Sequence, residues 1–154
     1  MPDLLKRTLL FLALMLAGVA LYASMYGISA DKYDETVVPY FEKHLPAITS
    51  WKYSKLKPLL TPQAQSAFET EIGRNTFLLF TKLGKFQSSG KPQFGAKGEE
   101  FSEGLGDVDI VSYKVPVVFD TGPAVIKANL VINGDSYIIQ HIGISSDVFA
   151  QTTE

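Results

Sequence analysis

The spacing of apolar residues changes twice along this chain, and each change marks a different kind of structure. From Thr8 to Ala30 no residue is charged, and about 20 apolar residues rising 1.5 Å each cross a hydrocarbon core. From Asp31 the apolar positions recur at helical intervals: Val37, Phe41, His44 or Leu45, and Ile48 predict a helix over 31–50. Thr36 is its candidate N-cap, with Pro39 in the first turn. The spacing leaves open whether this helix continues from the apolar segment or starts afresh at Thr36. Trp51 to Leu60 is an aromatic, lysine-rich connection. Thr61-Pro62, a cap followed by proline, opens a second helix to about Ile72, and Gly73 is expected to break it. A third helix follows from Arg74 to Leu83. Phe77, Phe80 and Leu83 share one of its faces, Gly84 caps it, and its rings are expected to pack on a sheet.

From Phe86 the period falls to two. Lys91 to Ser102 is a weak strand interrupted by glycines, as a bulged or strongly curved strand would be. Asp107 to Asp120 is a strong one. Val111, Tyr113, Val115, Val117 and Phe119 alternate with polar neighbours, and the interior Pro116 predicts an edge or a bulge. Thr121-Gly122-Pro123 turns the chain into strands 124–132 and 136–145, joined at Asn133-Gly134-Asp135. The expectation is α+β: a transmembrane helix, then about three helices packed on a curved antiparallel meander of about four strands.

Charge orients the apolar segment. Lys6 and Arg7 precede it and Asp31, Asp34 and Glu35 follow it, which favours a cytoplasmic N-terminus and a domain on the far side of the cytoplasmic membrane. A secretory signal peptide is the competing reading, with cleavage after Gly18-Val19-Ala20 or Ile28-Ser29-Ala30. Apolar residues continue past Ala20 to Ile28, which favours an uncleaved anchor. Within the segment Ala13, Ala17, Ala20, Ser24 and Gly27 follow one another at steps of four and three, drawing one small-residue stripe that could admit a partner helix. Tyr22 and Tyr26 suit an interfacial position.

The expected organisation is thus a short cytoplasmic terminus (1–7), an anchor (8–30), one domain (31–148) and a frayed end (149–154). Cysteine is absent, which excludes disulfides, thiolate nucleophiles and Cys-ligated metals. Charge is uneven along the domain. From Trp51 to Gly98 eight basic residues meet only Glu69 and Glu71, a net of +6, whereas Glu99 to Glu154 carries −7. Mutual pairing or solvation is the plain account of these blocks. No nucleic-acid recognition motif is present, and no nucleic-acid partner is expected.

The order of elements carries a resemblance. The helix around Val37 and Phe41, Leu56-Lys-Pro-Leu-Leu-Thr-Pro62, Phe80 to Phe86, Tyr113-Lys-Val-Pro-Val-Val-Phe119 and Asn133 to Ile139 together resemble the nuclear-transport-factor-two-like, or cystatin-like cone, superfamily. More narrowly they resemble its bacterial envelope domains. A looser likeness is to single-span inner-membrane assembly factors of type IV secretion. The resemblance implies helices wrapped by a curved sheet. It implies no single function, because that superfamily includes ligand binders, isomerases, dehydratases and scaffolds.

Enzymes of the superfamily place an acid or base in the cone, for which His44, His141, Tyr40 and Tyr113 are the candidates here. Alternation puts His141 on one strand face with Tyr137, Ile139 and Gly143. Two histidines alone make no metal site. Glu69 and Glu71 do not face one another on a helix, and no phosphate loop, nucleophile elbow or zinc-protease helix occurs. No catalytic, cofactor or metal residue is therefore assigned. The sequence reads as a membrane-anchored accessory or scaffold subunit, in contact with lipid and with a membrane-protein partner. The alternative is a module that holds a small apolar ligand, lined by Trp51, Tyr53, Phe77, Phe80, Tyr113 and His141.

Overall fold

A computed structural model describes residues 2–152, with side chains described for 6–25 and 30–150. Two compact units emerge, Met1–Tyr33 and Asp34–Glu154. One helix, α1 (Pro2–Ile48), runs through the boundary between them. Thr36 is therefore no N-cap. Its hydroxyl instead shares a 2.6 Å hydrogen bond with the phenol of Tyr137. Pro39 and Pro46 both lie inside the helix, each removing one backbone bond. In the domain α1 buries Val37, Tyr40, Phe41, Leu45 and Ile48, and Leu45 rather than His44 takes the inward position.

Three residues beyond the end of α1 the backbone is unusual. Trp51 adopts φ 55°, the left-handed region that glycine ordinarily occupies at a helix C-terminus. Long-range contacts hold it there. Its Nε1–H donates to Gly84 O at 2.6 Å, and its ring lies 5.4 Å from Phe119 and 6.4 Å from Phe80.

The connection contains a turn of helix, α2 (Tyr53–Leu56), and a 3-10 turn, Lys57–Leu59. Thr61 caps α3 (Pro62–Glu69) by accepting from Ala64 N, with Pro62 in the first turn. The break before α4 (Glu71–Phe80) falls at Thr70, not at Gly73. Thr70 Oγ1 accepts from Gly73 N at 3.0 Å and donates to Ala67 O at 2.7 Å, so one side chain joins the two helices. Gly73 serves close approach instead, since a Cβ there would lie 2.7 Å from Phe68 Cα and closer still to Ala67 O. A 3-10 turn, Thr81–Leu83, closes this region and buries Leu83.

Five strands form one antiparallel sheet: β1 (Phe86–Ser89), β2 (Gln93–Ser102), β3 (Gly106–Phe119), β4 (Gly122–Asn133) and β5 (Ser136–Ser145). β1 and β2 are successive pieces of one edge, both pairing with β3. The fifth strand arises because the chain leaves the ladder at Gly90-Lys91-Pro92. The expected bulge lies between Phe94 and Ala96.

β3 is central, flanked by β4 on its other side. Pro116 thus sits in an inner strand, in regular register with Val125, and not at the edge or bulge it was expected to mark. Its carbonyl accepts from Gly90 N at 2.8 Å, at the gap between β1 and β2, where a missing N–H leaves no ladder partner unpaired. Val111, Tyr113, Val115, Val117 and Phe119 are all buried, as their alternation predicts.

At the β4–β5 hairpin Asn133 pairs with Ser136, leaving Gly134-Asp135 as the two-residue turn. Gly134 alone takes positive φ (61°), the signature of a type II′ rather than an Asn-Gly type I′ turn. Asp147–Thr152 forms a 3-10 helix, and Phe149 lies 6.4 Å from Phe80.

Candidate functional site

The candidate lining residues do not share one cavity. Tyr113 is in the core, with Phe41 at 6.3 Å and Phe94 at 5.7 Å, and its phenol donates to Asp34 Oδ1 at 2.8 Å. Trp51 and Phe80 belong to a second cluster with Phe119. Tyr53 and Phe77 belong to a third, with Phe68. The Phe77 ring thus meets the rings of neighbouring helical segments.

His141 is exposed, and the reason is a bulge. Asn129 pairs with His141 but Leu130 pairs with Ile139, so Gln140 is the extra residue of β5. The bulge reverses the alternation beyond Ile139. Tyr137, Ile139 and Ile142 are buried while His141 turns outward, which removes it from the interior face it was expected to share with Tyr137. The parity change from Tyr137 and Ile139 to Ile142 and Ile144 is visible in the sequence and is the signal that alternation alone overlooks.

Gln140 itself centres a buried polar network. Its Oε1 accepts from Thr61 Oγ1 at 2.8 Å and from Ser102 Oγ at 2.9 Å, and its Nε2 donates to Gln63 Oε1 at 3.1 Å. Gln63 Oε1 also accepts from Glu103 N at 2.8 Å. Ser102 ends β2 and Gln140 is in β5, strands that stand about 14 Å apart across two others in a flat sheet. The sheet must curl at this end for the bond to form.

The interior offers little for acid–base chemistry. Burial pushes the Tyr40 phenol up to about 12, so it stays protonated near neutrality, and its oxygen is buried without a partner. His44 lies against Tyr40, ring centres 4.6 Å apart and tilted by 50°, and burial, then the charge of Lys43, lowers its pKa. Among the described residues neither histidine is hydrogen-bonded to a carboxylate, and no group of three potential metal ligands gathers.

What the surface does carry is a helical hairpin with apolar clefts. Tyr53, Phe68 and Phe77 stand 6.0–6.1 Å from one another, tilted or edge-on. With Glu69, Arg74 and Leu78 they line an open cleft of about 420 Å³. Lys57 bonds Glu69 at 2.8 Å, which lowers the pKa of that carboxyl and raises that of the lysine. Tyr53 is raised as well, by burial and then by the charge of Glu69. A second cleft, also about 420 Å³, lies between α3–α4 and β5, lined by Phe68, Ile72, Thr76 and His141 among others. Phe68 reaches both clefts, yet the helical pattern alone did not single it out.

No family model, curated protein or solved structure matches this chain.

The helical stretch Lys6–Ile48, which begins in the N-terminal unit and continues into the second, is long and apolar enough to cross a membrane, and none of its apolar window is buried. Ala13, Ala17, Ala20 and Ser24 are all exposed along it. Gly27 and Tyr26 fall among 26–29, whose side chains lie outside the described residues.

Proposed function

We propose that the chain is a single-span, membrane-anchored accessory or scaffold subunit that presents a non-catalytic interaction domain to a larger membrane complex. Its N-terminus is cytoplasmic and its domain is on the exoplasmic side, as the charges flanking the segment favour. One observation carries the reading: an apolar window of span length is left uncovered by the protein itself. In water that surface is costly, and a bilayer together with a partner helix accounts for it.

The domain reads as a cystatin-like cone. The Ser102–Gln140 contact between strands at opposite ends of the sheet order supports strong curvature, and α1 supplies the long helix such a sheet would wrap. Occupation of its interior by Tyr113, Phe41, Tyr137 and Tyr40 supports a packed core in place of a reaction chamber.

A mild-detergent pull-down of the full chain from native membranes, with intact-mass measurement, tests this. A stoichiometric membrane partner and an uncut N-terminus are expected. Leu at Ala17, Ala20 and Ser24 should weaken that association; unchanged recovery would count against the stripe. A chain recovered alone and beginning near Leu21 or Asp31 would sink the anchor reading.

A second reading, a small apolar ligand held by the domain, is favoured by the cleft of Tyr53, Phe68 and Phe77 alone. Absence of a thermal shift with every apolar compound class would remove it.

A further inference from the structure

We propose that the outer edge of β5 pairs antiparallel with β5 of a second copy of the chain, about a two-fold axis at Gly143, joining two five-stranded sheets into one.

The direction of the backbone groups along β5 defines the edge. Asn133 and Ser136 flank a two-residue turn and so form a hydrogen-bonded pair, after which bonded and non-bonded pairs alternate. On β4, Asn133, Val131, Asn129, Lys127 and Val125 therefore turn their backbone groups toward β5. Tyr137 and Ile139 turn theirs outward, and Ile139 O accepts from Thr61 N at 2.9 Å. The extra residue Gln140 then shifts the phase. His141, Gly143 and Ser145 face β4, which leaves the N–H and C=O of Ile142 and Ile144 pointing away from the sheet. The chain's own cover stops short of them, because Leu60 bridges Ile139 and Thr61-Pro62 then turns into α3. Among the described backbone bonds between separate segments none reaches Ile142 or Ile144.

Past the bulge nothing on this edge deters pairing. Ser136–Ser145 contains no charged residue and no proline, the devices that keep bare edges apart. The opposite edge has both: Lys91 and Pro92 interrupt it, and β2 carries Lys97, Glu99 and Glu100.

Self-complementarity decides the occupant. Ile142 and Ile144 are symmetric about Gly143, so a two-fold axis there sets each Ile142 opposite Ile144 of the second copy in a hydrogen-bonded pair. Gly143 meets its own equivalent at the close, non-bonded position, with Cα atoms about 4.5 Å apart. His141 meets Ser145 of the second copy, and no carboxylate or ammonium opposes its like. Paired residues share a sheet face, so Ile144 of the second copy projects on the side of Ile142. There an open cleft of about 420 Å³, walled by Phe68, Ile72 and Ile142 among others, receives it. One strand thus supplies both the backbone that the edge lacks and the apolar side chain that the cleft lacks.

Because the chain contains no cysteine, a single introduced thiol reports only on contact with another copy. A Cβ at Gly143 would meet nothing nearer than His141 Nε2 at 3.7 Å, so Gly143→Cys fits. Under mild oxidation the full chain in mild detergent should form a disulfide dimer through that position. A mixture of His141→Cys and Ser145→Cys chains should cross-link faster than either alone, since the two positions oppose each other. Val118→Cys, on the outer face of β3, controls for random collision and for association through the N-terminal helix, and should stay monomeric. Ile144→Pro costs β4 no ladder bond, because that N–H points outward. In the Gly143→Cys chain it should slow cross-linking at dilute protein about thirtyfold, the effect of losing two hydrogen bonds of ordinary net strength.

A Gly143→Cys thiol that forms no dimer overturns the proposal, whether it stays open to maleimide or is found joined to a different protein. So does cross-linking at Val118→Cys at the same rate, a mixed pair no faster than His141→Cys alone, or a dimer indifferent to Ile144→Pro.

Discussion

The phenol of Tyr113 donates to Asp34 Oδ1 at 2.8 Å, and Lys91 Nζ reaches Oδ2 of the same carboxylate at 2.9 Å. One carboxylate at the start of the domain thereby joins α1 to the central strand and to the Gly90–Pro92 interruption. Tyr113 is almost wholly buried, so the bond is shielded at its donor end. Tyr113→Phe should cost about 1.5–3 kcal/mol, the range for a hydrogen bond to a charged group. Lys91 is largely exposed, and Lys91→Ala should cost at most about 1 kcal/mol. Urea unfolding of both variants gives the comparison, and equal losses would contradict the ranking.

Gly73→Ala separates propensity from packing. Alanine is favoured over glycine inside a helix by about 1 kcal/mol. The new Cβ, however, would lie 2.7 Å from Phe68 Cα, and overpacking costs about 1–3 kcal/mol. A net loss of stability is expected, read as a lowered Tm. A raised Tm would show that the α3–α4 elbow opens freely.

Gln140→Leu should be among the most damaging single changes. It strips the acceptor from the buried hydroxyls of Thr61 and Ser102 and the donor from Gln63. Each buried group left unsatisfied costs about 1–3 kcal/mol. Gln140→Glu keeps the acceptor oxygen and loses the amide donor, and should fall between wild type and Gln140→Leu in chemical denaturation.

His44 makes stability depend on pH in a defined direction. Its folded pKa is lowered, so the unfolded chain binds the proton more readily. Stability is full above the unfolded value of about 6.5 and falls as pH drops through it toward the lowered folded value. His44→Gln should flatten that part of the curve. The denaturation midpoints of both proteins between about pH 7.5 and pH 5 decide it, and parallel curves would exclude His44 as the source.

Local features were legible in the residues wherever the physics is local. The apolar run of 8–30, the cap at Thr61-Pro62 and the alternation of Val111 to Phe119 each depend on neighbours within a few positions. Pro116 and Gly73 show the limit. Both were read by intrinsic tendency as edge marker and helix breaker, whereas one sits at a gap between two partner strands and the other at a helix crossing.

The sequence by itself determined that an α+β domain follows a segment able to span a membrane, because period, caps and charge-free length are written in consecutive residues. Tertiary structure decided the rest. It continued α1 through Thr36, turned His141 outward by the bulge at Gln140, and dispersed six lining candidates among separate clusters and a surface cleft. Those outcomes depend on contacts such as Thr61–Gln140, 79 positions apart. Such contacts form only when distant backbone groups and side chains must satisfy one another in a shared interior, a condition no local pattern contains.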